Sequence, residues 1–333
     1  MSALIEQGSG VATGRANLDV FSTTLQELAE SDKAIVVVTS DSRGSGKLTP
    51  FGQKFPRQIV EIGIAEQNLV GVAAGLASTG KKVFAVSPAC FLTARALEQI
   101  KNDVAYSDNA VKLIGISAGV SYGALGTTHH SLHDFAVLRA INNLVIVAPA
   151  DNFETEQAIR KAAVFNHPIY LRFGKKPMPH LKSPGGSDFE FGKGRVVRNG
   201  VDVAFIATGE TVYPSLMAAE KLAAQKIQAT VVSMHTVKPL DYELLASVAS
   251  SGKAIITVEE HMINGGLGEA CASFLLQNGY RNPFKIVGIP DEYTVTGSQN
   301  EIFEHYGLTE NGLTDTAVKL LQNTNAKGSR VRR

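Results

Sequence analysis

Short apolar runs alternate with amphipathic segments along most of the chain. Residues 33–39 (KAIVVVT) read as a buried strand, and residues 82–86, 111–117, 144–148 and 168–172 repeat the pattern. Between them apolar residues recur at helical spacing. Leu18, Phe21, Leu25 and Leu28 share one face, and Leu69, Val72, Ala73 and Leu76 share another. Asp151, with Pro149 just before it, predicts an N-cap for a helix running to about Val164. Strand–helix alternation at this spacing predicts a mostly parallel sheet with helices on both faces. Residues 174–200, rich in Gly, Pro and Lys, break the pattern and read as a linker with one short hairpin. A second series follows, with strands expected at 201–207, 229–233, 253–258 and 284–288 and helices at about 211–225, 242–250 and 267–277. The fold class is therefore α/β, with two successive domains of mostly parallel sheets flanked by helices. Their boundaries are read as residues 1–180, a linker at 181–200, and residues 201–333, of which 323–333 form a tail.

Composition narrows the function classes. Of 333 residues 44% are hydrophobic and 19% charged, which is ordinary for a soluble globular protein. A formal net charge of +1 gives no broad basic surface for nucleic acid or an anionic membrane, and residues 327–333 are only locally basic. No run reaches the roughly 18–20 apolar residues that span a bilayer. Cys90 and Cys271 cannot build a disulfide framework, so a reducing cytoplasm is the expected compartment.

The segment 61–75, EIGIAEQNLVGVAAG, carries the clearest chemistry. A strand ends near Ile62, Gly63 permits a tight turn, and Glu66 enters the first turn of a helix. Ligands meet parallel sheets at such strand ends. Glu66 could simply complement the helix dipole, worth about 0.3–1 kcal/mol. The small residues Gly71, Ala73, Ala74 and Gly75 favour close packing, however, and so a buried helix start. GIAEQN followed by VGVAAGLA resembles the pyrimidine-binding domain of transketolases, particularly those split into two subunits. The resemblance extends over nearly the whole chain, through a linker into a transketolase C-terminal domain. It implies that Glu66 hydrogen-bonds N1′ of the aminopyrimidine ring of thiamine diphosphate, in apolar surroundings for which Ile64 and Ala65 are candidates. The cofactor then acts as electron sink for carbon–carbon cleavage of a ketose.

The resemblance assigns further residues. The loop 39–46, TSDSRGSG, reads by composition as a polar loop; by resemblance Asp41 lies near the cofactor and Ser45 near the substrate phosphate. Arg15 falls near a family phosphate-binding arginine. Phe91 is either core or the aromatic that stacks on the aminopyrimidine. In residues 120–134, VSYGALGTTHHSLHD, three histidines invite a zinc reading, but no carboxylate or thiolate accompanies them at a familiar spacing. No metal ligand is assigned to this chain. Thr128-His129 matches the start of the family's Thr-His-Gln triplet, whose histidine acts near the reacting carbonyl and the sugar hydroxyls, with His130 where Gln is usual. Arg172 in IYLRFGK is either a strand-end surface charge or the arginine that grips the sugar phosphate. Glu259-Glu260-His261 before Gly265-Gly266-Leu267-Gly268 could bind an anion at a helix start, but a structural turn is the preferred reading.

The chain departs from the family in two respects. Leu125 stands where many transketolases place an aspartate against a sugar α-hydroxyl, and Ser117 where they place a second histidine. A leucine cannot accept that hydrogen bond, which predicts a non-standard, branched or otherwise modified sugar phosphate. The chain also contains no Gly-Asp-Gly, the family segment that holds the diphosphate through Mg²⁺. The expected protein is thus one subunit of a transketolase moving a two-carbon ketol unit from a ketose phosphate to an aldose. An N-terminal subunit would supply the diphosphate-binding domain and the Mg²⁺ ligands, in an α2β2 assembly. The alternatives are a 2-oxoacid dehydrogenase E1 β subunit, which usually shows Ser-Glu-Gln, deoxyxylulose-phosphate synthase, which usually has His in place of Asn68, and a non-catalytic regulatory subunit.

Overall fold

The computed structural model describes residues 13–182 and 188–330. Its strands in chain order are β1 (Thr13–Ala16), β2 (Ile35–Thr39), β3 (Ile59–Glu61), β4 (Lys82–Pro88), β5 (Lys112–Ile116), β6 (Val145–Val147) and β7 (Ile169–Arg172). Then follow β8 (Pro177–Pro179), β9 (Arg195–Arg198), β10 (Val203–Ala207), β11 (Ala229–Ser233), β12 (Thr236–Lys238), β13 (Ala254–Met262) and β14 (Phe284–Ile289).

Among the described residues these strands form three sheets. The first runs β12-β6-β7-β5-β4-β2-β3 and the second β14-β13-β10-β11-β9. Both are parallel except at one edge, where β12 meets β6 and β9 meets β11 in antiparallel sense. Every residue of β2, β5, β10 and β11 is buried, because helices cover both faces and a strand with two dry faces can carry an uninterrupted apolar run. The Asp151 carboxylate accepts the Glu154 amide at 2.8 Å and caps the helix Asn152–Val164, as the sequence predicts. The helices Tyr242–Ser250 and Leu267–Gln277 also fall at their expected bounds.

Two expectations are corrected. Among the described residues of 174–200 there is no hairpin: β8 pairs with β1 across the chain, and β9 joins the edge of the second sheet. Residues 323–330 continue the helix Glu310–Arg330 instead of forming a tail, while residues 331–333 lie outside the described residues.

The two halves share a core. β12 comes from the second half yet extends the first sheet, pairing Thr236 with Val147. Val120, Leu132, Ala150 and Leu181 pack into the apolar cluster of the second half around Phe205, Val231 and Val258. A buried ionic cluster lies at the same junction. Arg195 donates to Glu154 at 2.9 Å and to Asp151 at 2.8 Å, with all three side chains buried.

Candidate functional site

Glu66, Phe91, the loop 117–133 and Lys175 all follow carboxyl ends of parallel strands of the first sheet, namely β3, β4, β5 and β7. Gly63 makes the turn after β3 with φ +80°, a conformation that costs glycine nothing. Asp41 after β2 and Ser117 after β5 adopt φ 53° and 54°. Non-glycine residues in this region store strain, and both stand at the heads of loops that rim the same sheet edge.

Glu66 opens the helix Glu66–Ser78 and is 3% exposed. Nη1 of Arg95 donates to both its carboxylate oxygens at 3.0 Å. The Arg95 guanidinium lies 4.4 Å from the centroid of the Phe91 ring. Phe91 in turn meets the His129 ring edge-on at 5.4 Å, and Tyr122 meets the same imidazole at 5.5 Å. Lys175 places its ammonium 3.8 Å from the Tyr122 ring centroid. An unbroken chain of contacts thus joins the helix-head carboxylate to the histidine and on to a lysine. His129 is held at Nδ1 by the Thr128 hydroxyl at 3.0 Å.

The loop carrying His129 is held from behind by the second half of the molecule. The His130 Nε2–H donates to the Gly123 carbonyl at 2.9 Å, so its Nδ1 accepts from the Thr294 hydroxyl at 2.7 Å. Thr127 accepts the Thr294 amide at 3.1 Å and donates its own proton to the Thr294 oxygen at 3.0 Å. Glu260 accepts the Val120 amide at 2.9 Å and the Gln299 amide group at 2.7 Å. Gly119, at φ +61°, lies so close to Glu260 that a Cβ there would stand 2.1 Å from its carboxyl carbon. Burial raises the pKa of Glu260, and neighbouring Glu210 pushes it the same way.

Arg172 requires a correction. It is not a surface charge: it is 6% exposed, its Nε and Nη2 are hydrogen-bonded within the chain, and its Nη1 lies 3.8 Å from the Glu260 carboxyl. Its Nε donates to Asp134 at 2.8 Å and its Nη2 to the carbonyls of Ser131 and Glu260 at 3.1 and 2.8 Å. Tyr170 donates to the same Asp134 oxygen at 2.8 Å. Burial acts to raise the Asp134 pKa, but Arg172 and His261 outweigh it and hold the carboxyl below its usual range. Ile64, expected to give Glu66 apolar surroundings, is 74% exposed on this chain.

The remaining candidates lie apart from this chain of contacts. Asp41 and Ser45 are exposed, the Asp41 amide donating to Glu61 at 2.7 Å and the Ser45 hydroxyl to the Ser42 carbonyl at 3.2 Å. Arg15 lines a separate cleft of about 390 Å³ with Gly44, Lys47 and Thr23. Leu125 ends the short turn Gly123–Leu125 at 55% exposure, and that turn's Gly123 carbonyl holds His130. His133 bonds Thr93 at 3.3 Å, so the three histidines face different partners. Among the described residues no three His, Cys, Asp or Glu side chains cluster as a metal site. The Glu259 carboxyl group accepts the Leu267 and Gly268 amides at 2.7 and 2.8 Å, so the protein's own side chain fills the helix start that would otherwise be open to an anion. Burial pushes Glu259 up to about 8 despite those two amides.

Sequence reading missed Arg95, Tyr122, Lys175 and Thr294. Only Arg95 carried a signal, four residues after Phe91 and therefore on the same helical face.

Known proteins resemble this chain over nearly its whole length. Residues 14–179 match the transketolase pyrimidine-binding domain and residues 192–313 the transketolase C-terminal domain. The chain is 47% identical to one subunit of the apulose-4-phosphate transketolase of Phocaeicola vulgatus, over 91% of this chain and 96% of that protein. It is 33% identical to the 6-deoxy-6-sulfo-D-fructose transketolase subunit SqwH of Clostridium sp., over 92% and 95%. A split-gene transketolase solved as an inactive β4 tetramer superposes with a TM-score of 0.83 at 37% identity, covering 93% of this chain and 99% of that one. With both domains matched in order and relatives aligned over more than nine-tenths of either chain, the chain belongs to the transketolase family.

Proposed function

We propose that this chain is the pyrimidine-domain subunit of a split transketolase, transferring a two-carbon ketol unit between sugar phosphates only when a partner subunit joins it. The observation that carries the reading is the buried Glu66 carboxylate at a helix head, facing a planar cation stacked on Phe91. A flat, nitrogen-bearing ring fits between the same two groups. The residues present therefore suit the aminopyrimidine of thiamine diphosphate, with Glu66 hydrogen-bonding N1′ and Phe91 against the ring face. When bound, that cofactor supplies the nucleophilic carbon and electron sink that ketol transfer needs.

The other roles belong to this chain's side chains. Glu66 holds a proton at N1′ in a dry setting, where a hydrogen bond to charge is stronger than in water. His129, fixed at Nδ1 by Thr128, offers its Nε2 to a sugar oxygen. Lys175, and not Arg172, presents the cation for the anionic end of the sugar. Leu125 gives a sugar hydroxyl no acceptor, which favours a substrate differing from ordinary ketose phosphates near the cleaved bond. The partner would supply the diphosphate-binding domain and the Mg²⁺ ligands and cover the exposed Ile64, in an α2β2 complex. The relatives' names support the subunit reading, since two are themselves called transketolase subunits.

A ketol-transfer assay on the chain mixed with its partner, thiamine diphosphate and Mg²⁺ tests this. Activity should need both chains and fall about 10²–10⁴-fold in Glu66→Ala. In the same assay Leu125→Asp should shift relative rates toward ordinary ketose phosphates. Activity of the chain alone, or full activity of the Glu66→Ala complex, would sink the proposal.

A further inference from the structure

Glu66 and Phe91 bound a slot, and a side chain of this same chain already fills it. Arg95 lies one helical turn after Phe91 on the helix Ala89–Arg95, its guanidinium 4.4 Å from the Phe91 ring centroid and its Nη1 3.0 Å from both Glu66 oxygens. The two partners are unequally exposed. Glu66 is 3% exposed, whereas the Arg95 side chain is 50% exposed.

We propose that Arg95 is a built-in stand-in for the aminopyrimidine: its guanidinium occupies that subsite in the cofactor-free chain and must swing out for the cofactor to enter. The inference rests on the cofactor reading given above. A guanidinium and a protonated aminopyrimidine are both flat cations with in-plane N–H donors, so each can stack on Phe91 while donating to Glu66. Two such groups cannot share one face of Phe91 and one carboxylate. Without either, Glu66 would be a buried carboxylate lacking a cation, which is costly. Arg95 removes that cost before the cofactor arrives. Its departure is easy because half of its surface already meets water and the helix ends at Arg95 itself. The cofactor therefore competes with an internal ion pair, and its apparent affinity is reduced by the fraction of molecules in which the pair is closed.

Calorimetric titration of thiamine diphosphate into the assembled protein at saturating Mg²⁺ tests the proposal, comparing wild type with Arg95→Gln. The dissociation constant should fall up to roughly fivefold in Arg95→Gln, the scale of a half-exposed ion pair. In the isolated chain Arg95→Gln should lower the melting temperature, and Glu66→Gln added to it should restore part of the loss. An unchanged or weaker cofactor affinity in Arg95→Gln, with wild type binding normally, would overturn the stand-in role and leave the cofactor reading intact. No calorimetric binding to the assembled wild type would overturn both.

Discussion

Lys175 and Arg172 stand three positions apart, yet the family resemblance points to Arg172 alone as the phosphate-gripping cation. Structure separates them by burial and partners. Arg172 has its hydrogen bonds committed to Asp134, Ser131 and Glu260, while Lys175 reaches over Tyr122 beside His129. Lys175→Met should therefore raise KM for a phosphorylated ketose about tenfold or more, in line with a lost charge-assisted hydrogen bond, and leave the melting temperature unchanged. Arg172→Leu should instead destabilise the chain by about 3–5 kcal/mol, because Asp134 is left buried without its cation. Steady-state kinetics and denaturant melts on the two variants distinguish these effects. Equal KM effects at equal stability would contradict the assignment. Glu66 was legible from its motif because the glutamate and its helix are contiguous in sequence. Lys175 was not, because its place beside Tyr122 depends on the loop after β5 folding over the end of β7.

At the scale of elements, the loop 120–133 is defined less by its own sequence than by what lies behind it. Thr294, from the second half, donates to His130 and bonds Thr127 in both directions, while Glu260 secures Val120. His130, at the usual Gln position, thus acts as a clamp and not as a zinc ligand. Thr294→Val should loosen this loop, lowering kcat/KM by about tenfold, the cost of roughly one or two hydrogen bonds. Thr294→Ser should restore most of the loss, and loss of activity in both variants alike would remove the clamp from the account. The long apolar strands and the helices with clear caps were readable because burial on two faces and capping are local signals. β8, β9 and β12 were not, since each is only three or four residues long and is recruited by a partner strand far away in sequence.

Buried titratable groups held in their uncharged forms make the stability of the whole molecule depend on pH. Glu259, pushed up to about 8, and Glu260, also raised, keep protons in the folded state that an unfolded glutamate loses near 4.5. Their contribution is complete below about 4.5 and is lost as pH rises toward 8. His235 and His261, which burial pushes down to about 3 and 4, act in the opposite sense. The unfolded histidines take up protons below 6.5 and the folded ones do not, so their contribution is lost only on acidification. Between pH 6.5 and 8 the two carboxyls act unopposed by these histidines, and stability should fall with rising pH. Denaturant unfolding across that range should show the slope, and Glu260→Gln should reduce it. A flat profile in wild type would mean that these carboxyls ionise in the folded state. Among the described residues no helix is long and apolar enough to cross a membrane.

What the sequence determined by itself is whatever depends on neighbours along the chain. Apolar periodicity set the two α/β series, caps set helix starts, and the GIAEQN segment identified both the family resemblance and Glu66. What only the tertiary structure decided is whatever depends on residues far apart in sequence. It buried Arg172 against Asp134 and Glu260, left Ile64 in the open, set Lys175 over Tyr122, and laid Arg95 between Glu66 and Phe91. The physical reason is that a side chain's charge and shape are written in its own residue, whereas its burial and its partners are properties of the packed whole.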